Sequence, residues 1–173
     1  MGPGSPTRTW SRLHEKAFDR ALNSRPNQLH RLRGDVHVSA KDLLDVRIPG
    51  GATTQRGVES NVGVGIQYLE SWLRGVGAAA ISNLMEDTAT AEIARSQVWQ
   101  WVHHEVQLQD GSRLSRDRVK EILVQQHRRL RDSIGSDAFT RGKFEEAREL
   151  FEEVALSDAF VEFLTIPASD RID

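Results

Sequence analysis

A chain of 173 residues with 38% hydrophobic content is long enough to bury a core and suits one ordinary globular domain. Its 23 Lys and Arg against 25 Asp and Glu leave a formal net charge of −2, so no global charge excess draws it to nucleic acid or to a membrane surface. The absence of cysteine excludes disulfides, thiolate nucleophiles and Cys-held metals, and no apolar run approaches the ~20 residues that span a bilayer.

The pattern reads as helix almost throughout. Residues 1–8, opening Met-Gly-Pro-Gly-Ser-Pro, read as a leader or fusion scar, and residues 9–173 as one helical domain. From Trp10 to Leu22, the apolar Trp10, Leu13, Ala17, Ala21 and Leu22 recur at helical spacing, and Pro26 marks a stop. Val36 and Val38 alternate briefly, which predicts a short extended piece. Ser39 is placed to cap a short helix through Val46, because its hydroxyl accepts from free first-turn N–H groups. Pro49-Gly50-Gly51 is a loop.

A long helix follows from Thr54 to Arg74. Val58, Val62, Ile66, Leu69, Leu73 and Val76 form its stripe, and Gly63 and Gly65 interrupt it. Each interior glycine costs about 1 kcal/mol against Ala, so two of them predict a closely packed neighbour or a ligand, with helix–helix packing the first reading. Gly75 and Gly77 end this helix. Ala78 to Leu84 reads as a buried apolar connector, and Leu84-Met85 as burying one side of the acid pair Glu86-Asp87. Another helix runs from Thr88 to His104, with Ala91, Ala94, Val98, Trp101 and Val102 facing inward. Ser115 caps a helix through Ile134, and Gly135-Ser136 breaks it. Phe139 to Ala155 supplies the last helices, and Phe163 to Pro167 a tail laid on the bundle.

Four features invite a chemical reading. An acid before a helix is first of all an N-cap, accepting from backbone N–H groups at the positive end of the helix dipole. The small residues Thr88, Ala89, Thr90 and Ala91 beside the acid pair also leave room for a bulky ligand, so a proton-abstracting carboxylate stands next to the capping role. His103 and His104 are adjacent on a helix and point about 100° apart, which is wrong for chelation. Trp72 and Trp101 fall at or near the apolar stripes, so core packing accounts for them better than base stacking. Arg113, Arg116, Arg118, Lys120, Arg128, Arg129 and Arg131 form a basic cluster interleaved with Asp117, Glu121 and Asp132, which reads as a solvated face with phosphate contact as the second reading. No phosphate loop, GxGxxG or GxSxG is present.

Two long segments carry a family resemblance. Asn61-Val-Gly-Val-Gly-Ile-Gln-Tyr-Leu-Glu-Ser-Trp-Leu-Arg-Gly75 and Asn83-Leu-Met-Glu-Asp-Thr-Ala-Thr-Ala-Glu-Ile-Ala-Arg-Ser-Gln-Val-Trp-Gln-Trp-Val-His-His104 resemble the C-terminal region of A-type malate synthase. Arg25-Pro-Asn-Gln-Leu-His30 and Phe163-Leu-Thr-Ile-Pro-Ala168 extend the resemblance over nearly the whole chain. It implies an all-α, bundle-like C-terminal domain that plugs a TIM barrel absent from this chain. It further implies an enzyme that condenses acetyl-CoA with glyoxylate and water to give malate and CoA. Asp87 would be the catalytic base and Met85 would line the same cleft. The Mg²⁺ ligands and the enolate-stabilising arginine would belong to the barrel, so this chain would hold no metal and would be inactive alone. Ser82 stands where the family usually has His, and Thr88 where it has Ala. The alternative reading is a non-catalytic helical interaction or regulatory module derived from the enzyme. The partners implied are acetyl-CoA, glyoxylate and the barrel, without nucleic acid or membrane. A chain with no secretory h-region and no Ser-Lys-Leu-type tail is expected in the cytoplasm, with a peroxisomal address left open.

Overall fold

The computed structural model describes residues 6 to 172, with side chains from Ser11 onward. The chain divides into two compact units, Met1–Gly50 and Gly51–Asp173. Of the leader reading, residues 1–5 lie outside the described range, whereas Pro6, Thr7 and Arg8 already belong to the first helix.

In the first unit, α1 (Pro6–Leu22) ends where Asn23 and Ser24 adopt positive φ, ahead of Pro26. The second helix, α2 (Ala40–Leu44), is short and fully capped. Ser39 accepts from the Asp42 N–H, and the Asp42 carboxylate accepts from the Ser39 N–H. The extended piece expected at Val36 and Val38 does not form. Both residues are exposed and no partner strand exists among the described residues, so alternation alone had nothing to pair with.

The second unit is organised around α3 (Gln55–Leu73), which packs against α4 (Thr88–His103), α5 (Arg116–Ile134) and α7 (Phe144–Leu156). Thr54 caps α3 through the Gly57 N–H, and the stripe Val58, Val62, Ile66, Leu69 and Leu73 is buried, whereas Val76 is exposed because the helix has ended and the chain turns at Gly75. Gly65 explains its own cost: a Cβ there would stand 2.0 Å from the Phe151 ring of α7. The bare backbone lets the aromatic lie directly on α3. Ser115 caps α5 by accepting from the Arg118 N–H. Between α5 and α7, α6 (Ser136–Arg141) adds Phe139, which stacks on Phe144 at 4.6 Å. The tail folds into α8 (Thr165–Ser169), with Leu164 and Ala168 buried in the common core. The expected all-α class holds, with one small addition described next.

Candidate functional site

The stretch from Ala78 to Leu84 is not a buried connector. It is a hairpin of β1 (Ala79–Ile81) and β2 (Leu84–Glu86), paired antiparallel with Ala79 opposite Glu86, Ala80 opposite Met85 and Ile81 opposite Leu84. Ser82 and Asn83 form the tip with φ of 51° and 64°. Two left-handed residues in a two-residue loop match a type I′ hairpin turn. Strand alternation explains the correction to the burial reading. Ala79 and Ile81 turn into the core, while Ala80 does not. On the opposite strand Leu84 and Met85 are 63% and 82% exposed, so they open the approach to the acid pair instead of covering it.

Asp87 continues the extended path of β2, with φ −113° and ψ −176°, and is the N-cap of α4. A period of two puts Met85 and Asp87 on the same side of the chain, the side away from the core. The Asp87 Oδ1 accepts from the Thr90 N–H at 3.1 Å, and the side chain is exposed. The other carboxylate oxygen has no partner among the described residues. Capping therefore occupies one oxygen, fixes the carboxylate to the helix start, and leaves the second oxygen free to meet a ligand. Glu86 is half-buried in the ladder opposite Ala79.

The junction is anchored from behind. The Tyr68 hydroxyl, on the buried face of α3, donates to the Gly77 carbonyl at 3.1 Å and meets the Thr88 hydroxyl. A carbonyl only accepts and the tyrosine has one proton, so the Thr88 O–H donates to the Tyr68 oxygen. Thr88 thus ties the first residue of α4 to α3 and to the strand entering the hairpin. Ser82, the other departure from the family pattern, is an exposed tip residue.

One residue of this helix escaped the sequence reading. Arg95 is fully buried. Its Nε and Nη2 donate to Glu92 Oε2 at 2.9 and 2.7 Å, and Nη2 also donates to the Glu162 carbonyl at 3.2 Å. Its guanidinium lies 4.2 Å from the centroid of the Phe160 ring. Glu92 Oε1 accepts from the Leu164 N–H at 2.6 Å. The pair clasps the chain before α8 onto α4. The signal was present: Arg95 lies four residues after Ala91 and three before Val98, on the buried stripe.

The remaining sequence candidates fall into place. Trp72 and Trp101 pack partly buried against the core, and Trp99 donates to the Ser157 carbonyl at 2.9 Å. His103 stacks on Trp99 at 4.7 Å, and both His103 and His104 are exposed. Among the described residues no three His, Asp or Glu side chains converge in a way that would hold a cation, and the acid pair alone is no cage. No described helix is long and apolar enough to cross a membrane.

The sequence profile described as "Malate synthase, C-terminal" matches residues 52–172. The chain belongs to the malate synthase family. It is 43% identical over 156 residues to the malate synthase of Streptomyces clavuligerus, covering 90% of this chain and 29% of that protein. It is 36% identical over 151 residues to malate synthase A of Escherichia coli K12, covering 87% of this chain and 28% of that one. Against the glyoxysomal malate synthase of Zea mays it is 36% identical over 160 residues, with 91% and 29% covered. The chain therefore spans less than a third of the length of these relatives.

Proposed function

We propose that this chain carries the base half of a malate synthase active site, with Asp87 as the base. Asp87 takes a proton from the methyl group of acetyl-CoA. The resulting enolate attacks the aldehyde carbon of glyoxylate to form malyl-CoA. Water then hydrolyses the thioester to malate and CoA. The observation that carries this reading is the β2–α4 junction, where an exposed carboxylate is held by one oxygen and keeps the other unpartnered, two residues after exposed Met85. A base must be positioned before it is useful, and the Thr90 N–H and the Tyr68–Thr88 anchor supply the positioning.

Charge developing on the enolate oxygen needs its own stabilisation, which is commonly the largest single term in such reactions. The Asp87 carboxylate cannot provide it. We assign that work, together with Mg²⁺, to the TIM barrel of a full-length enzyme. Residues 9–173 are taken as the C-terminal domain of that enzyme, inactive without the barrel. The cytoplasm is the proposed compartment, and fractionation of the source cells decides between it and the glyoxysomal address carried in the name of the maize relative.

The test mixes the chain with acetyl-CoA, glyoxylate and Mg²⁺, with and without the separately produced preceding portion of a relative such as the Streptomyces clavuligerus enzyme. Turnover is expected only in the mixture. Robust turnover by the chain alone contradicts the half-site reading. A mixture that stays inactive while the two parts bind each other favours the non-catalytic interaction module.

A further inference from the structure

The basic cluster of α5 and its approach resolves into two groups. Arg113, Arg116, Arg118, Lys120 and Arg129 each reach a carboxylate: Glu105, Asp158, Glu121, Glu152 and Glu59 respectively. Arg128 and Arg131 reach none among the described residues. These two line a cleft of about 500 Å³ together with Val124, His127, Glu145 and Arg148. That volume lies in the range of small-molecule sites, about 300–1,000 Å³.

Three-residue spacing puts Arg128 and Arg131 on neighbouring positions of the helix surface, where two guanidiniums can share one anion. The wall across from them carries Arg148 among three carboxylates. Arg148 donates to Glu145 and Glu152 and stands 3.9 Å from Glu149. Glu145 also faces His127, and among the residues that line the cleft Arg128, Arg131 and Arg148 outnumber Glu145 by two positive charges. His127 has an incomplete set of contacts. Its ring packs edge-on against Phe139 of α6. Its Nε2 is buried without a hydrogen-bond partner, since Glu145 Oε2 stands 3.2 Å away but out of line.

We propose that this cleft between α5 and α7 binds the phosphate group of a small phosphorylated metabolite, held by Arg128 and Arg131 with His127 beside it. A phosphate fits better than a carboxylate because its three or four oxygens can serve both guanidiniums at once. The cleft is larger than a bare phosphate and leaves room for a small organic body. The site is independent of Asp87, which lies at the start of α4, and it does not rest on the malate synthase reaction.

Burial already pushes the His127 imidazole below its ordinary value, and Arg131 and Arg148 push the same way while Glu145 opposes them. A bound dianion should reverse this by favouring the charged ring. The experiment follows the His127 ring proton by NMR as pH is varied, with His127→Gln to assign the resonance. Inorganic phosphate and a hexose phosphate are each added at ~10 mM against potassium chloride of equal ionic strength. Phosphate should raise the His127 midpoint by about 0.5 unit or more. The double variant Arg128→Gln/Arg131→Gln should lose at least about half of that shift while its helical circular dichroism is unchanged. A larger shift with the hexose phosphate shows that the organic body is also held, and an equal one shows that phosphate alone is recognised. No shift with either probe, or the same shift in the double variant, overturns the proposal. In that event the two arginines serve a protein carboxylate brought by another surface.

Discussion

Leu69 on α3 and Leu32 in the segment between α1 and α2 mark the difference between the two compact units: the first is 1% exposed and the second 91%. Neighbouring residues repeat the contrast. Leu13, Phe18, Leu29, Val36, Val38, Leu43, Leu44, Val46 and Ile48 are all exposed, and from Ser11 to Gly50 no residue is buried. From Val58 to Ala168 the apolar stripes of α3, α4, α5 and α7 close into one core. Amphipathic patterning is thus not sufficient for burial; a stripe needs a second stripe to meet. The profile match beginning at residue 52 falls at the same boundary.

This contrast can be broken from either side. The largest expected effect is Arg95→Ala, which empties a buried position, strips the half-buried Glu92 of its charge partner and loosens the segment around Glu162 and Leu164. Removing one member of a buried pair costs about 3–5 kcal/mol, to be read from urea denaturation of the second unit. Gly65→Ala comes next. The new methyl group must displace the Phe151 ring, at about 1–3 kcal/mol, against roughly 1 kcal/mol regained in helix propensity. A net gain in stability would mean that Phe151 does not lie on α3. Thr88→Ala removes one part-buried hydrogen bond and should cost about 1 kcal/mol, leaving the Tyr68–Gly77 bond in place.

A pH effect is smaller still and comes from His127. Its folded value is depressed by burial below the unfolded one, so the native state binds fewer protons. The associated stability is present above the ordinary histidine range and is lost as pH falls through it. His127→Gln should therefore flatten the change in melting temperature between pH 7.5 and pH 5, and an unaltered slope would remove this residue from the acid response. At the bottom of the scale, Leu32→Ser in the first unit should stay within about 0.5 kcal/mol in this chain. A loss comparable to that of Arg95→Ala would show that the first unit buries Leu32 after all.

Much of the architecture was legible in the residues. Ser39 and Ser115 cap helices where their hydroxyls predict, α3 starts at the expected place, and Gly65 marks the close approach of α7. The hairpin was missed because Ala-Ala-Ile and Leu-Met-Glu are too short to show a period, and its turn uses Ser82-Asn83 without glycine. Arg95 was missed because a charged residue is read as solvent-facing by default, although its position on the stripe of α4 said otherwise. Spacing left Asp87 between capping and catalysis. The geometry makes the two compatible by using one oxygen for the cap, and it is the family resemblance that singles this acid out as the base.

That assignment is tested most directly by Asp87→Asn in this chain joined to a malate synthase barrel. Asparagine caps a helix about as well as aspartate, so the melting temperature should hold, whereas the amide cannot take the methyl proton. The account predicts that turnover of acetyl-CoA and glyoxylate falls at least about a thousandfold, with the fold and acetyl-CoA binding retained. A folded variant that turns over at the parent rate would contradict it.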